Sequence, residues 1–251
     1  MQVSDSFAQL ASLPGVTEAV EEARDSVDRL LGHRILRRRS AEVSAESALR
    51  GARASAALEG TSVPLGQIRD GSVDDAEVQG ALRICAELGS LIDVWRNAPR
   101  QVLARLHVLA AADAVPAAEL GRPRASDVSS EVAARLDALS TLLTAETAAP
   151  AVVVAAIVHG ELLVLRPFGW GDGLIARAAA RLTLVDRGLD PKSLVTPEVG
   201  HVELGDAYAD SLRGYVSGTP AGVGGWVRHC AQATALGARD SLAVCEAFQR
   251  G

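Results

Sequence analysis

The chain has 251 residues, enough for one large domain or two small ones, and 48% of them are hydrophobic but only 3% aromatic, a balance that suits helices packed through small and branched aliphatic side chains. A formal net charge of −6 gives no general attraction to a polyanion, which argues against nucleic acid as the main partner. The three cysteines, Cys85, Cys230 and Cys245, are odd in number and lack metal-type spacing, so neither a disulfide framework nor a metal site is expected, and the expected setting is a reducing cytoplasm.

The first 13 residues are polar and unlike a secretory signal, having no basic start that leads into an apolar run. Apolar residues then recur at helical spacing over 16–36 and again over 41–58. The basic run Arg37, Arg38, Arg39 between them reads as a solvated helix face or end, because Glu42 and Glu46 follow it. Gly60 and Pro64 stop the second segment. Asp74 and Asp75 open a third helix that carries Ile84, Leu88 and Leu91 towards Trp95, and Pro99 ends or restarts it before Val102, Leu103, Leu106 and Leu109. Pro116, Gly121, Pro123 and residues 126–130 mark the longest irregular stretch of the first half. Helices follow over 131–143 and 151–165. The run 148–165 is the most apolar, but His159, Gly160 and Glu161 break it, so it reads as a buried helix and no membrane span is expected. A glycine-rich loop over 166–173 leads into a helix ending at Asp186; a loop over 188–200 and helices over 204–216 and 226–248 complete the chain. No internal repeat or linker divides it. The expectation is one all-α unit over 1–251, with N-terminal helices in 1–60 and the main body in about 75–248.

The loop reads Arg166, Pro167, Phe168, Gly169, Trp170, Gly171, Asp172, Gly173, Leu174, Ile175, Ala176, Arg177. It resembles the central motif of the Fic (Fido-fold) family: His, any, Phe, any, Asp or Glu, Gly, Asn, Gly, Arg, two of any kind, Arg. Phe168, Gly171, Gly173 and Arg177 match. His159 stands where family members often carry a histidine on the preceding helix, and Leu106 with His107 resembles a leucine-histidine pair further upstream. Ser55, Ala56, Ala57, Leu58, Glu59, Gly60 resembles the family's inhibitory-helix motif, whose glutamate pairs with the last motif arginine, here Arg177. The resemblance implies a helical Fic fold, nucleotide or anion binding at Gly171, Asp172, Gly173 and Arg177, Phe168 as a structural anchor, and an inhibitory segment at Ser55, Glu59 and Gly60. It also implies that a protein hydroxyl is the acceptor when such a site transfers AMP from ATP with Mg²⁺.

The departures bear on the chemistry. Arg166 stands at the position of the family's histidine base, and a guanidinium stays protonated. Losing a positioned base costs about 10²- to 10⁴-fold, roughly 3 to 5 kcal/mol of barrier. Trp170 replaces the acidic residue that holds Mg²⁺ and offers no oxygen ligand. Asp172 replaces a phosphate-cradling asparagine with a carboxylate that repels phosphate, and Leu174 replaces a phosphate-clamping arginine. The loop is expected either to hold an anion weakly, with Arg166 supplying a charge that the family lacks, or, as the preferred version, to be filled by an internal Arg166–Asp172 pair. The flap that docks target segments by strand addition is cut short to 121–130. Three readings follow: a pseudoenzyme or binding module acting through a protein partner or weakly bound ligand; a transferase of AMP or phosphate, residual or with Asp172 replacing the missing base, the one reading that needs ATP and Mg²⁺; or a likeness of structure only, with a function unrelated to nucleotides. No exposed apolar stripe dictates an oligomeric state.

Overall fold

A computed structural model describes residues 5–124 and 129–250 of the chain. In chain order the helices are α1 (Ser6–Ala11), α2 (Val16–Leu31), a 3₁₀ turn (Arg34–Arg37), α3 (Ser40–Leu58), α4 (Leu65–Arg69), α5 (Ala76–Asn97), α6 (Pro99–Ala111), α7 (Ser129–Thr144), α8 (Ala151–Leu165), α9 (Asp172–Asp186), α10 (Pro197–Leu204), α11 (Ala207–Val216) and α12 (Pro220–Arg250). Among the described residues there is no strand, and no helix is long and apolar enough to cross a membrane. The three cysteines are free thiols.

Local chemistry sets most boundaries. Asp75 caps α5 by accepting from the Val78 amide at 3.1 Å, and Pro99 sits at the start of α6, where its missing N–H is no loss. The expected helix over 16–36 stops at Leu31, because Gly32 ends it and the chain tightens into the 3₁₀ turn. The basic run behaves as anticipated: Arg39 precedes α3 and pairs with Glu42. Further differences come from proline. The expected loop over 188–200 already begins α10 at Pro197, and the expected helix over 204–216 is broken at Gly205 into α10 and α11. The last helix starts at Pro220, six residues before Trp226, and α4 lies between the stop at Pro64 and the start at Asp75, where no helix is expected from the sequence. Residues 125–128, on which much of the shortened-flap expectation falls, lie outside the described residues.

At the centre, α8 and α9 pack against each other across a six-residue connection. Every residue from Val152 to Gly160 is buried, which explains an apolar run with no polar face. Helix α9 is enclosed by α3, α5, α6 and α8, so residues 172–184 are buried as well. Two of these, Arg177 and Arg181, share a face at i, i+4 spacing, and burial obliges each to find an anionic partner. Helix α12, about 46 Å long at 1.5 Å per residue, packs against α2, α8, α10 and α11. It approaches α10 closely: a Cβ on Gly237 would lie 2.5 Å from the carbonyl carbon of Thr196, so only glycine fits.

Candidate functional site

Helix α8 ends on Arg166, a non-glycine residue in the left-handed region (φ 44°, ψ 58°). That reversal begins a bent connection in which Gly169 (φ 85°) and Gly171 (φ 66°) also take positive φ, and Gly171 caps α9 without a side-chain bond. The expected glycine elbow feeding a helix is therefore present. Phe168 anchors it by stacking on His107, with ring centroids 4.4 Å apart and planes 15° apart. The Nδ1 of His107 in turn accepts from the Gly121 amide at 3.0 Å, while the amide of Arg124 donates to the Pro167 carbonyl at 2.9 Å. Gly121 and Arg124 thus tie the stretch after α6 directly to the elbow.

Asp172 is buried, and its carboxylate accepts from the amides of Phe168 at 3.0 Å and Gly169 at 2.7 Å. Burial raises its pKa above the ordinary value; the two amides, then Arg166 and Arg124, oppose that rise. The expected ion pair with Arg166 does not form: Arg166 is exposed, and Asp172 is turned onto the backbone of its own loop. An aspartate three or four residues beyond two free amides closes such a loop locally, as an Asx-type contact, more readily than a long arginine can be ordered across it.

Arg177 projects from the second turn of α9 towards the end of α3. Its Nε donates to Ser55 Oγ at 2.8 Å, and its Nη2 donates to the Ser55 carbonyl at 2.9 Å and to Glu59 Oε1 at 2.6 Å. The Arg177 side chain is 2% exposed and that of Glu59 26%. Glu59 closes α3, and Gly60 follows with φ 109°, turning the chain away. The same carboxylate lies over the first turn of α9: a Cβ on Gly173 would collide with Glu59 Oε1 and stand 2.9 Å from its Cδ. A helix N-terminus favours an anion, and here an internal carboxylate lies against it. Leu174 is 1% exposed and packs in the core, and Trp170 packs partly buried against the same cluster. Neither supplies a metal ligand or a phosphate clamp.

A second buried group lies behind α9. The ring of His159 on α8 stands 5.0 Å from that of His201 on α10, and His201 Nδ1 and His229 Nε2 on α12 are 3.0 Å apart. His159 Nε2 and the Tyr208 hydroxyl are 2.8 Å apart, and Trp226 Nε1 donates to the Ala156 carbonyl at 2.7 Å. Burial first, then Arg177 and His229, holds His159 well below the usual imidazole range; burial first, then His159, His229 and Arg177, does the same to His201. Sequence reading singled out His159 but none of its neighbours, because residues 159, 201 and 229 have no local spacing and meet only when three helices assemble. The second arginine, Arg181, lies 3.8 Å from Glu198 Oε1 and donates to the Ser193 carbonyl at 3.2 Å, tying α9 to α10.

No protein-family profile matches the sequence, and no curated protein is similar to it. Solved structures are similar. A Fic family protein from Desulfovibrio desulfuricans G20 shares 19% identity over 90% of this chain and 74% of its own, with a TM-score of 0.72. A fragment of Fic-1 from C. elegans shares 20% identity over 92% of this chain and 73% of its own, with a TM-score of 0.73; a single-substitution variant of that fragment gives 0.67 at 19% identity. The chain has the all-helical Fic (Fido) fold.

Proposed function

We propose that this chain is a Fic-fold protein impaired for AMP transfer, acting in the cytoplasm as a binding module for a protein partner, with its anion position filled from within by Glu59. The observation that carries the reading is the Glu59 carboxylate, bonded to Arg177 at 2.6 Å and lying on Gly173 at the start of α9. A phosphate seated there would have to displace a charge-assisted pair whose arginine is buried. The exposed Arg166 at the position of the base supports the same reading, since a guanidinium does not accept a proton. The substitute-base alternative is disfavoured by geometry, because both oxygens of Asp172 already accept from backbone amides.

The expected outcome is that millimolar ATP with Mg²⁺ leaves the thermal unfolding of the wild-type chain unchanged. A ligand present at a hundred times its Kd would add about 2.7 kcal/mol of stability, and a shift of that size in the wild-type protein would overturn the reading.

A further inference from the structure

We propose that His159, His201 and Cys230 form a three-ligand site for a zinc-class divalent metal ion in the core behind α9. The residues come from α8, α10 and α12, and one side-chain ligand atom from each lies within 4.8 Å of the other two. Facing helices of a bundle are a recurrent place for such sites, and two imidazoles with a thiolate suit borderline-soft ions such as Zn²⁺.

The surroundings favour ligation. His201 and His159 each engage a further group, His229 and the Tyr208 hydroxyl respectively, as outer groups that orient imidazole ligands do. Burial keeps both imidazoles neutral, the form in which they bind metals. Ligand atoms around a tetrahedral zinc stand roughly 3.3–3.6 Å apart, given bonds of about 2.0–2.3 Å, so binding draws the three side chains inward by up to about 1 Å. Cys230 is a thiol before binding, so ligation must displace its proton: a metal–sulfur bond forms, the S–H bond breaks and the proton leaves to solvent, a step that burial of the thiol opposes and the metal–sulfur bond must outweigh. The positive charge of Arg177, which acts on both histidines, is offset by Glu59 on its other side and by the thiolate formed on binding. Three protein ligands leave one tetrahedral position for a further group. The Tyr208 hydroxyl interacts with both His159 and Arg177, so the site is linked to the Glu59–Arg177 pair through a single side chain.

The test is titration of the full chain, stripped with a chelator, with Co²⁺. The expected result is one Co²⁺ per chain with a thiolate-to-cobalt charge-transfer band that added Zn²⁺ abolishes. Cys230→Ser should lose the band while circular dichroism stays helical, and His201→Gln should weaken binding by more than the roughly 10–100-fold that outer-shell changes cost. The double variant Cys85→Ser, Cys245→Ser keeps Cys230 as the only thiol and does not touch the site, so the full band must survive in it. Absence of a band in the wild-type chain, its loss in the double variant, or its persistence in Cys230→Ser would each overturn the proposal.

Discussion

Gly173→Ala probes the seat of Glu59 most sharply, because the added methyl would occupy the space that the carboxylate now fills. Glu59 is the flexible partner: its side chain is 26% exposed and sits at the end of α3, so it should swing outward and leave Arg177 with its two Ser55 bonds. A charge-assisted hydrogen bond contributes about 1.5–3 kcal/mol. Replacing glycine by alanine inside a helix returns about 0.5–1 kcal/mol, so the net cost in the wild-type background is about 0.5–2.5 kcal/mol. In a Glu59→Ala background nothing remains to expel, and the same substitution should be neutral or stabilising, tempered by Arg177 Nη1 at 3.0 Å from the new methyl. The quantity to measure is the coupling, from urea unfolding of the four proteins in a double-mutant cycle, with an expected value of about 1.5–3 kcal/mol. Equal costs in both backgrounds would refute the placement of Glu59 on the elbow helix.

Burial raises Asp190 from an ordinary 3.8 to about 6, against the amides of Leu194 and Val195 and the charge of Arg181. A raised carboxyl favours the folded state below its unfolded pKa and loses that contribution as pH rises through the folded value. The wild-type chain should therefore lose about 2.4 kcal/mol relative to Asp190→Asn between pH 4 and pH 7, read from urea midpoints; a constant difference would show that the carboxyl is not buried in this way. Gly237→Ala should cost about 1–3 kcal/mol by forcing α12 away from Thr196, whereas Gly188→Ala, with open space around its missing Cβ, should cost only the strain of its φ of 77°. Comparable chemical denaturation curves for wild type and Gly237→Ala would contradict the close approach of α10 and α12.

The helices were legible where periodicity and caps agree, as at Asp75 for α5 and Pro99 for α6, and the boundaries slipped where a single glycine or proline decided them, as at Gly32, Pro197 and Gly205. The elbow was legible from glycines that tolerate positive φ, whereas the Glu59–Arg177 pair, 118 residues apart in the chain, was expected only through the resemblance of residues 55–60 to the family's inhibitory motif. The partner of Asp172 was not legible. Opposite charge pointed to Arg166, but two backbone amides three and four residues away are nearer and need less ordering of side chains. The cluster of His159, His201 and Cys230 was invisible for a different reason, since spacing along the chain carries no information about side chains from three helices that converge.

Release of the internal carboxylate gives the most direct measurement. A Glu59→Gly chain, incubated with Mg²⁺, cell extract and ATP labelled in its α-phosphate, frees Arg177 and the first turn of α9 while leaving Arg166 at the position of the base. On the proposed reading no group takes the proton from an acceptor hydroxyl, so no protein should acquire label. Label that appears with this variant and vanishes on the further change Asp172→Ala would contradict the account and make the chain a transferase.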